Sequence, residues 1–276
     1  MVSVMRIGIT GGRGFIGSAV KHYFQDKGLE IIDYDCNLGN LLEIENMFSK
    51  HGFPDVIVHL AGRFSGQTDV LLRDNLLATN NLLSALAKHP DTHLIFGSSG
   101  AVYGNSGSTA INESTVCIPN TEYGLLKSYC EQSIAYYGRS SGLESTLLRF
   151  PSVYGSNNSK GIIFNWVQGA LLDRRIVIHG KGNQRRSFID VLDICDAIYT
   201  VINKRILGTY NVSHAETYDL NELSELFQDV FNVDVSYEGG DNALESMILD
   251  SSKLQSISSW QPSRELKSHL ESYLSS

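Results

Sequence analysis

The sequence predicts an α/β fold, a doubly wound parallel sheet with helices on both faces, followed by a smaller C-terminal lobe. Two observations support this prediction. Short apolar runs alternate with amphipathic stretches as far as residue 150, which is typical of parallel strands joined by right-handed crossover helices. After about Phe150 this alternation weakens and loops are indicated at 155–161 and 180–183, so a smaller lobe is expected there.

The individual elements follow from the two periodicities of apolar residues. Apolar runs between turn-forming residues predict strands at 6–10, 29–34, 56–60, 94–96 and 145–149. Apolar residues recurring every three or four positions predict helices at 16–27, 41–50, 75–88 and 123–140. A last helix is expected to begin near Ser263.

Composition restricts the classes of function. The 22 Lys and Arg residues against 30 Asp and Glu residues give a net charge of -8, which disfavours nucleic acids and anionic membranes as partners. The separated cysteines Cys36, Cys117, Cys130 and Cys195 indicate buried, reduced thiols and no metal site. No apolar stretch approaches the ~20 residues of a membrane span and no secretion signal is recognised, so a cytoplasmic protein is expected.

The stretch TGGRGFIG, residues 10–17, follows the first strand and opens the first helix. Gly11, Gly14 and Gly17 would let the backbone approach the pyrophosphate of a dinucleotide and aim a helix N-terminus at its charge. The spacing alone is also compatible with tight packing of the strand against the helix.

The end of the second strand supplies an acidic partner for that dinucleotide. Asp35 lies about 20 residues beyond the glycine loop, where a carboxylate accepts hydrogen bonds from the adenosine ribose, and Asp33 is the alternative. Arg13, inside the loop, could instead pair with a 2′-phosphate. We therefore predict NAD as the cofactor and leave NADP open.

Tyr123 and Lys127, in EYGLLKSYCE, lie four residues apart and share one face of a predicted helix. An ammonium one turn away would stabilise the phenolate and lower the tyrosine pKa, which makes the pair an acid/base. Y-x-x-x-K is a common pattern, and a solvated helix face has the same spacing. The stretch GSSGAVYG, after the fourth strand, places Ser99 at the same edge of the sheet, where it could hydrogen-bond a substrate oxygen.

Together these motifs resemble the extended short-chain dehydrogenase/reductase family, in particular its nucleotide-sugar epimerases, dehydratases and 4-ketoreductases. The resemblance covers most of the chain and rests on the ordered stretches TGGRGFIG, PDVIVHLAG, DNLLATNNLL, GSSGAVYG, EYGLLK, LRFPSVYG, GKGNQRRSFIDVLDICDA and SSWQP. It implies a Rossmann-type dinucleotide-binding domain at 1–150 plus about 187–212, and a nucleotide-sugar-binding lobe at about 151–186 and 213–276.

The resemblance also implies roles for individual residues. Catalysis is assigned to Ser99, Tyr123 and Lys127. The cofactor-binding residues are Gly11, Arg13, Gly14, Phe15, Ile16, Gly17, Asp35, Asn37, Leu38, Leu60, Ala61, Gly62, Asn75, Ser98, Tyr123, Lys127 and Pro151. The substrate-binding residues are Ser99, Gly100, Ser152, Val177, His179 and Arg186. Arg186 would bind the diphosphate, Val177 and His179 would flank a pyrimidine base, and Arg185 is expected to be solvated.

The sequence departs from the family pattern at several positions. The family's 4,6-dehydratases carry Asp-Glu directly after the catalytic serine, whereas this chain has Gly100 and Ala101, so dehydration is not expected. Ser152 stands where asparagine is usual. No arginine precedes LDSSKL, where many members have a second diphosphate ligand, and Arg264 is the candidate replacement. The segment 35–42 is short, as in the ketoreductase branch.

Three functions therefore stay open. The first is a nucleotide-sugar 4-epimerase acting on a UDP-glucose-like substrate: Tyr123 takes the proton of the C4 hydroxyl, hydride passes to the nicotinamide, and the keto-sugar turns over before both return. The second is an NAD(P)H-dependent reductase of a 4-keto-6-deoxy nucleotide sugar. The third, a non-catalytic dinucleotide sensor, is disfavoured because a sensor has no need of Ser99, Tyr123 and Lys127.

A homodimer through a four-helix bundle is also expected. The family often pairs the helices that correspond to those around Asn75 and Tyr123. In this chain those helices carry apolar residues beyond the needs of one core face, at Leu82, Leu83, Tyr129, Ile134 and Tyr136.

Overall fold

The computed structural model describes residues 5–105, 107–239 and 246–274. Residues 1–4, 106, 240–245 and 275–276 of the predicted domain ranges lie outside the described residues. The strands are β1 Arg6–Thr10, β2 Glu30–Tyr34, β3 Val56–His59, β4 His93–Ser99, β5 Ser145–Phe150, β6 Ser152–Tyr154, β7 Arg175–His179, β8 Arg186–Asp190, β9 Gly208–Asn211, β10 Thr217–Tyr218 and β11 Asp234–Glu238. The helices are α1 Phe15–Asp26, α2 Leu41–His51, α3 Thr68–Leu71, α4 Ala78–Leu86, α5 Glu122–Ser141, α6 Gly161–Leu172, α7 Val191–Lys204, α8 Leu220–Phe231, α9 Ser252–Ile257 and α10 Leu266–Ser272.

Within the described residues, six parallel strands form one sheet in the order β2-β1-β3-β4-β5-β9. This confirms the predicted doubly wound parallel sheet. The chain runs from β1 outward to β2 and then returns to β3 on the other side of β1. Ligands of such sheets bind outside the carboxyl ends of the strands where the order reverses, which here is between β1 and β3.

Helices cover both faces of this sheet, and alternate residues of its strands point to opposite sides. Val56 and Val58 of β3 join a core built with α1 and α7, whereas Ile57 joins a core built with α2, α4 and α5. A near-continuous apolar strand buried on both faces is typical of parallel sheets.

The apolar residues that suggested a dimer divide into two groups. Leu82, Leu83 and Ile134 are buried in the core beneath α4 and α5, so the prediction that they exceed the needs of one core face is wrong for these three. Tyr129 and Tyr136 do lie exposed on α5.

The predicted elements agree with the observed ones within a few residues, with the largest differences around residue 70 and at the end of β4. The helix predicted at 75–88 begins earlier, as α3, and passes through a π-helical turn at Leu72–Leu77 before α4. A π turn changes backbone hydrogen bonding without changing apolar composition, so the spacing of side chains does not reveal it. The strand predicted at 94–96 extends to Ser99, and a 3₁₀ turn at Gly100–Val102 follows it.

Beyond β5 the chain builds smaller sheets, which among the described residues are β10-β8-β6 and β11-β7. Helices α6, α8 and α10 pack on them around Trp166, Phe188 and Phe227. The C-terminal segment is fixed to α7 by Arg264, whose Nη1 donates to the carboxylates of Asp193 and Asp196 at 2.6 and 2.9 Å. Arg264 is therefore occupied, and we assign it no role in diphosphate binding.

Candidate active site

Two cavities meet at the carboxyl edge of the large sheet, beside the reversal of strand order. One, of about 460 Å³, lies over the ends of β1 and β2, and the other, of about 440 Å³, extends toward β4 and α5. The residues common to both are Gly11, Arg13, Gly62, Arg63, Phe64 and Lys160. A dinucleotide has two nucleosides joined by a pyrophosphate, and the shape of two joined cavities suits such a molecule.

Most of the predicted cofactor-binding residues lie at these cavities. The first cavity is lined by Gly11, Arg13, Asp35, Asn37, Leu38, Ala61 and Gly62. The second is lined by Gly11, Arg13, Gly14, Phe15, Ile16, Gly17, Leu60, Gly62, Ser98, Tyr123 and Lys127. Asn75 and Pro151 lie outside both linings.

The glycine loop is tightly packed and leads into a helix with an uncapped N-terminus. Gly11 has φ +75°, and a Cβ there would lie 2.5 Å from the backbone nitrogen of Ala61. A Cβ on Gly17 would collide with the carbonyl oxygen of Gly11, so this glycine allows α1 to pack closely on β1. No side chain caps α1 and its first turn carries no acidic residue, which leaves its N-terminus open to an anion.

Both candidate ribose-binding carboxylates line the first cavity, but they differ in their ion-pair partners. Asp33 pairs with Lys21 of α1 at 2.7 Å, whereas Asp35 is half exposed and pairs with Arg13 across the mouth of the glycine loop. The Arg13–Asp35 pair places a carboxylate beside the guanidinium that could otherwise bind a 2′-phosphate.

Ser99, Tyr123 and Lys127 converge at the end of β4. Thr121 caps the N-terminus of α5 by accepting a hydrogen bond from the Gly124 nitrogen at 3.1 Å, and this places Tyr123 in the first turn. Lys127 is buried one turn later, with its Nζ donating to the Gly97 carbonyl oxygen at 2.7 Å and lying 4.5 Å from the centre of the Phe96 ring.

The electrostatics of this group differ from the sequence prediction in one respect. Burial raises the pKa of Tyr123 to about 12, although a hydrogen bond with Ser99 acts in the opposite direction. The Lys127 amine is 5.9 Å from the centre of the Tyr123 ring and is engaged by Gly97, and burial lowers its own pKa. The expected lowering of the tyrosine pKa by the ammonium is therefore not seen in this structure: burial raises the pKa of Tyr123, and the group that lowers it is Ser99.

Asn75 orders the loop that follows β3. Its Oδ1 accepts a hydrogen bond from the Arg63 nitrogen at 3.2 Å, and its Nδ2 donates to the carbonyl oxygens of Arg63 and Leu71 at 2.8 and 2.9 Å. A Cβ on Gly62 would lie 2.8 Å from the Asn75 Oδ1 and 3.7 Å from the Lys127 Nζ. Asn75 thus lies behind the loop and near the lysine, as the resemblance implied.

A buried ionic network beneath the site was not found from the sequence. Arg149 of β5 donates through Nη2 and Nε to both oxygens of Glu131 on α5, at 2.5 and 2.9 Å. The same carboxylate accepts a hydrogen bond from Ser98 of β4 at 2.5 Å, and Arg149 also donates to the Tyr103 hydroxyl at 2.7 Å. Burial opposes the charge of Arg149, but Glu131 raises its pKa overall. The only sign of this network in the sequence was an acidic residue, Glu131, one helical turn after Lys127.

The predicted substrate-binding residues are divided between the end of the large sheet and the smaller lobe. Gly100 is buried against Met247 and Leu249, and a Cβ there would lie 2.8 Å from the Met247 Sδ. Ser152, partly buried, lies on β6, the strand that follows β5.

The arginines of NQRRSF have different environments. Arg186 has no ion pair among the described residues, and burial lowers its pKa. Arg185 donates to Glu222 and lies 3.5 Å from Asp219, so the prediction that it is solvated is wrong. The signal that was missed is the capping box of α8, whose two acidic residues lie within reach of that arginine.

A third cavity, of about 620 Å³, lies in the smaller lobe between α6 and β7. Val177 and His179, which were predicted to flank a base, line it together with Trp166 and Gln184.

Lys160 was not assigned a role from the sequence. It lies at the start of α6, over the Phe64 ring at 5.1 Å, and it lines both cavities at the carboxyl edge of the large sheet.

Across 5–105, 107–239 and 246–274, no three His, Cys, Asp or Glu side chains are grouped as metal ligands, and no helix has the length and apolar character to cross a bilayer. Of the free cysteines, Cys130 and Cys195 are buried whereas Cys36 and Cys117 are only partly so, which corrects the expectation for the latter two.

Comparisons with known proteins agree with this geometry. A model of the NAD dependent epimerase/dehydratase family matches residues 7–213. A putative UDP-glucose 4-epimerase of Methanocaldococcus jannaschii is 28% identical over 94% of this chain and 94% of its own length. A UDP-glucose 4-epimerase of Halalkalibacterium halodurans is 26% identical over 94% of this chain and 91% of its own.

Solved structures confirm the fold. A UDP-glucose 4-epimerase of Thermus thermophilus in complex with NAD has a TM-score of 0.87 at 22% identity, covering 97% of each chain. A dTDP-glucose 4,6-dehydratase of Bacillus anthracis in complex with NAD has a TM-score of 0.89 at 23% identity, covering 98% of this chain and 96% of its own.

Substitution of Glu131 by Gln is expected to lower the free energy of unfolding by about 3–5 kcal/mol, because it leaves the buried Arg149 charge uncompensated. Urea unfolding measures this difference. The matched control is Glu144→Gln, which removes an exposed pair with Arg205 and should change the free energy of unfolding by less than about 1 kcal/mol. Equal unfolding midpoints for the Glu131 variant and the native chain would contradict the assignment.

Proposed function

Since the chain belongs to the NAD dependent epimerase/dehydratase family, we propose that it is a nucleotide-sugar 4-epimerase that acts on a UDP-glucose-like substrate and retains its NAD. The observation that carries this proposal is that Tyr123 and Lys127 line the second cavity together with Gly11, Gly14 and Gly17 of the glycine loop, and that Ser99 hydrogen-bonds Tyr123. A non-catalytic sensor would not need these three side chains.

In the proposed reaction the protein moves one proton and positions one oxygen. Tyr123, as phenolate, takes the proton of the sugar C4 hydroxyl, and Ser99 holds the same oxygen by a hydrogen bond. NAD held by the glycine loop and Asp35 would supply reversible hydride transfer at C4. Tyr123 then gives its proton back to the ketone oxygen after the sugar has turned, so the net reaction inverts C4 without net oxidation.

The residues after Ser99 support epimerisation over dehydration. Elimination of water would need a further acid and base, and the two positions that would carry them are Gly100 and Ala101. A reductase of a 4-keto-6-deoxy nucleotide sugar is the second candidate, and Arg13 favours it because a guanidinium in the glycine loop suits NADPH. Interconversion of a UDP-sugar pair without added cofactor supports the epimerase, whereas stoichiometric NAD(P)H oxidation with a 4-keto sugar supports the reductase.

We further propose that residues 1–150 with about 187–212 form the dinucleotide-binding domain, and that about 151–186 with 213–276 form the substrate lobe. Helix α7 and strand β9 support the return of the chain to the first domain, since α7 packs on the core with α1 and β9 pairs with β5. Residues 187–190 lie in β8, which pairs with β10 and β6 in the three-stranded smaller sheet.

Replacement of Tyr123 by Phe is expected to lower kcat by about 10²–10⁴-fold, because the acid/base is removed while the ring is kept. Epimerase turnover and the NAD content of the purified protein are both measured, and NAD should still be present. In the native enzyme kcat should fall as the pH is lowered, since the phenol must lose its proton to act as base. Tyr129→Phe, on the exposed side of the same helix, is the control. Native turnover in Tyr123→Phe would exclude the mechanism.

Replacement of Asp35 by Asn is expected to improve NADP binding relative to NAD by about tenfold, or about 1.4 kcal/mol, because it removes a carboxylate near the 2′ position and frees Arg13. Both dissociation constants are measured by titration. Asp33→Asn is the control, because Asp33 pairs with Lys21. A change of preference in the Asp33 variant alone would show that the ribose is bound by the other carboxylate.

We propose a homodimer through α5 and the π-helical segment before α4. Leu125, Tyr129 and Tyr136 of α5 are exposed, as are Leu72 and Leu77 of that segment. Sedimentation should show two chains, and Tyr129→Glu should shift the protein to one chain because it buries a charge in the interface. Leu172→Glu, on the exposed end of α6, should leave the dimer intact. A native protein that sediments as one chain would contradict this proposal.

A further inference from the structure

Two exposed side chains from distant parts of the chain meet where the two cavities at the carboxyl edge of the large sheet join. Lys160, the residue before α6, lies over the Phe64 ring, with its Nζ 5.1 Å from the ring centre. Phe64 belongs to the loop after β3, and both residues line both cavities. An ammonium within about 6 Å of an aromatic face is attracted to it. The contact therefore joins α6 to the loop after β3 across the site.

Each partner is carried by a loop that an asparagine orders. Asn75 binds both the nitrogen and the carbonyl oxygen of Arg63, the residue before Phe64, at 3.2 and 2.8 Å. Asn158 accepts a hydrogen bond from the Lys160 nitrogen at 3.1 Å. The two backbones are thus held from their own sides, whereas the side chains that touch between them are exposed.

Lys160 also supplies a charge that a dinucleotide needs at this place. Three cationic residues line both cavities, namely Arg13, Arg63 and Lys160. Arg13 pairs with Asp35, and Arg63 pairs with Asp74 at 3.0 Å. In the part of the chain that the structure describes, Lys160 has no carboxylate partner. A pyrophosphate carries its negative charge between two nucleosides, and Lys160 is the cation left to offset that charge where the two cavities meet.

We propose that Lys160 and Phe64 form a clasp that closes over bound NAD and slows its release. The Phe64 ring holds the lysine at the junction of the cavities, where its charge attracts the pyrophosphate. Because the two residues approach from opposite sides of the site, the cofactor leaves only when they separate. This inference rests on the proposed function for a cofactor that is retained, and it adds the residues that retain it.

The test measures the release of NAD from the full-length chain. The protein is loaded with isotopically labelled NAD, excess unlabelled NAD is added, and the label that stays bound is followed over time. Lys160→Met keeps an unbranched side chain but removes the charge, so release should be about tenfold faster. Lys160→Arg keeps both the charge and the contact with the ring, and its release rate should stay within about twofold of the native rate.

A double-mutant cycle distinguishes a clasp from two independent contacts. Phe64→Leu keeps apolar bulk but removes the ring face, and it should speed release by about threefold. The double variant should release NAD no faster than Lys160→Met alone, because the ring acts through the lysine. Effects that multiply in the double variant would overturn the inference.

Lys27→Met is the matched control. Lys27 lies over the Tyr23 and Tyr199 rings at 4.7 Å, at the end of α1 opposite to the glycine loop, so the release of NAD should not change. A native release rate in Lys160→Met, or a native chain that binds no NAD, would contradict the clasp. If the variants release NAD faster as one unit but the native chain interconverts no UDP-sugar pair, the proposed function fails and the clasp stands. Interconversion with unchanged release in the variants has the reverse meaning.

Discussion

The buried ion pair between Arg149 and Glu131 fixes the position of α5 against the sheet, and the geometry of the candidate site depends on that position. Glu131 follows Lys127 by one helical turn and Tyr123 by about two, so a shift of the carboxylate would shift both. The same carboxylate accepts the Ser98 hydroxyl and thereby fixes the strand end that carries Ser99. Burying two charges is unfavourable unless each is fully hydrogen-bonded, and this pair meets that condition.

The second constraint is the reversal of strand order between β1 and β3. It brings the glycine loop and the loop after β3 to one edge of the sheet, and Asn75 orders the second loop through three hydrogen bonds. Local chain geometry then places three features at this edge. They are the cavities, the open N-terminus of α1 and the half-exposed Asp35. The protein alone keeps Tyr123 protonated at neutral pH, since burial dominates its environment.

Much of this arrangement can be predicted from the sequence, for identifiable reasons. Parallel strands and their crossover helices have clear periodicities, and the glycine loop, Tyr123 and Lys127 lie at fixed spacings within them. Three features could not be predicted from periodicity and spacing, because each depends on which elements pack together. They are the π-helical turn before α4, the burial of Leu82 and the Arg185 ion pairs. The same holds for Arg149 and Lys160, whose partners appear only when distant segments meet.

In the proposed reaction a hydride leaves C4 of a nucleotide sugar and returns to the same carbon while Tyr123 carries the hydroxyl proton. UDP-glucose labelled with deuterium at C4 can be incubated with the purified protein in ordinary water and examined by NMR. We expect a C4 epimer that keeps its deuterium at C4. Loss of the label to solvent, or an unchanged configuration at C4, would exclude this reaction.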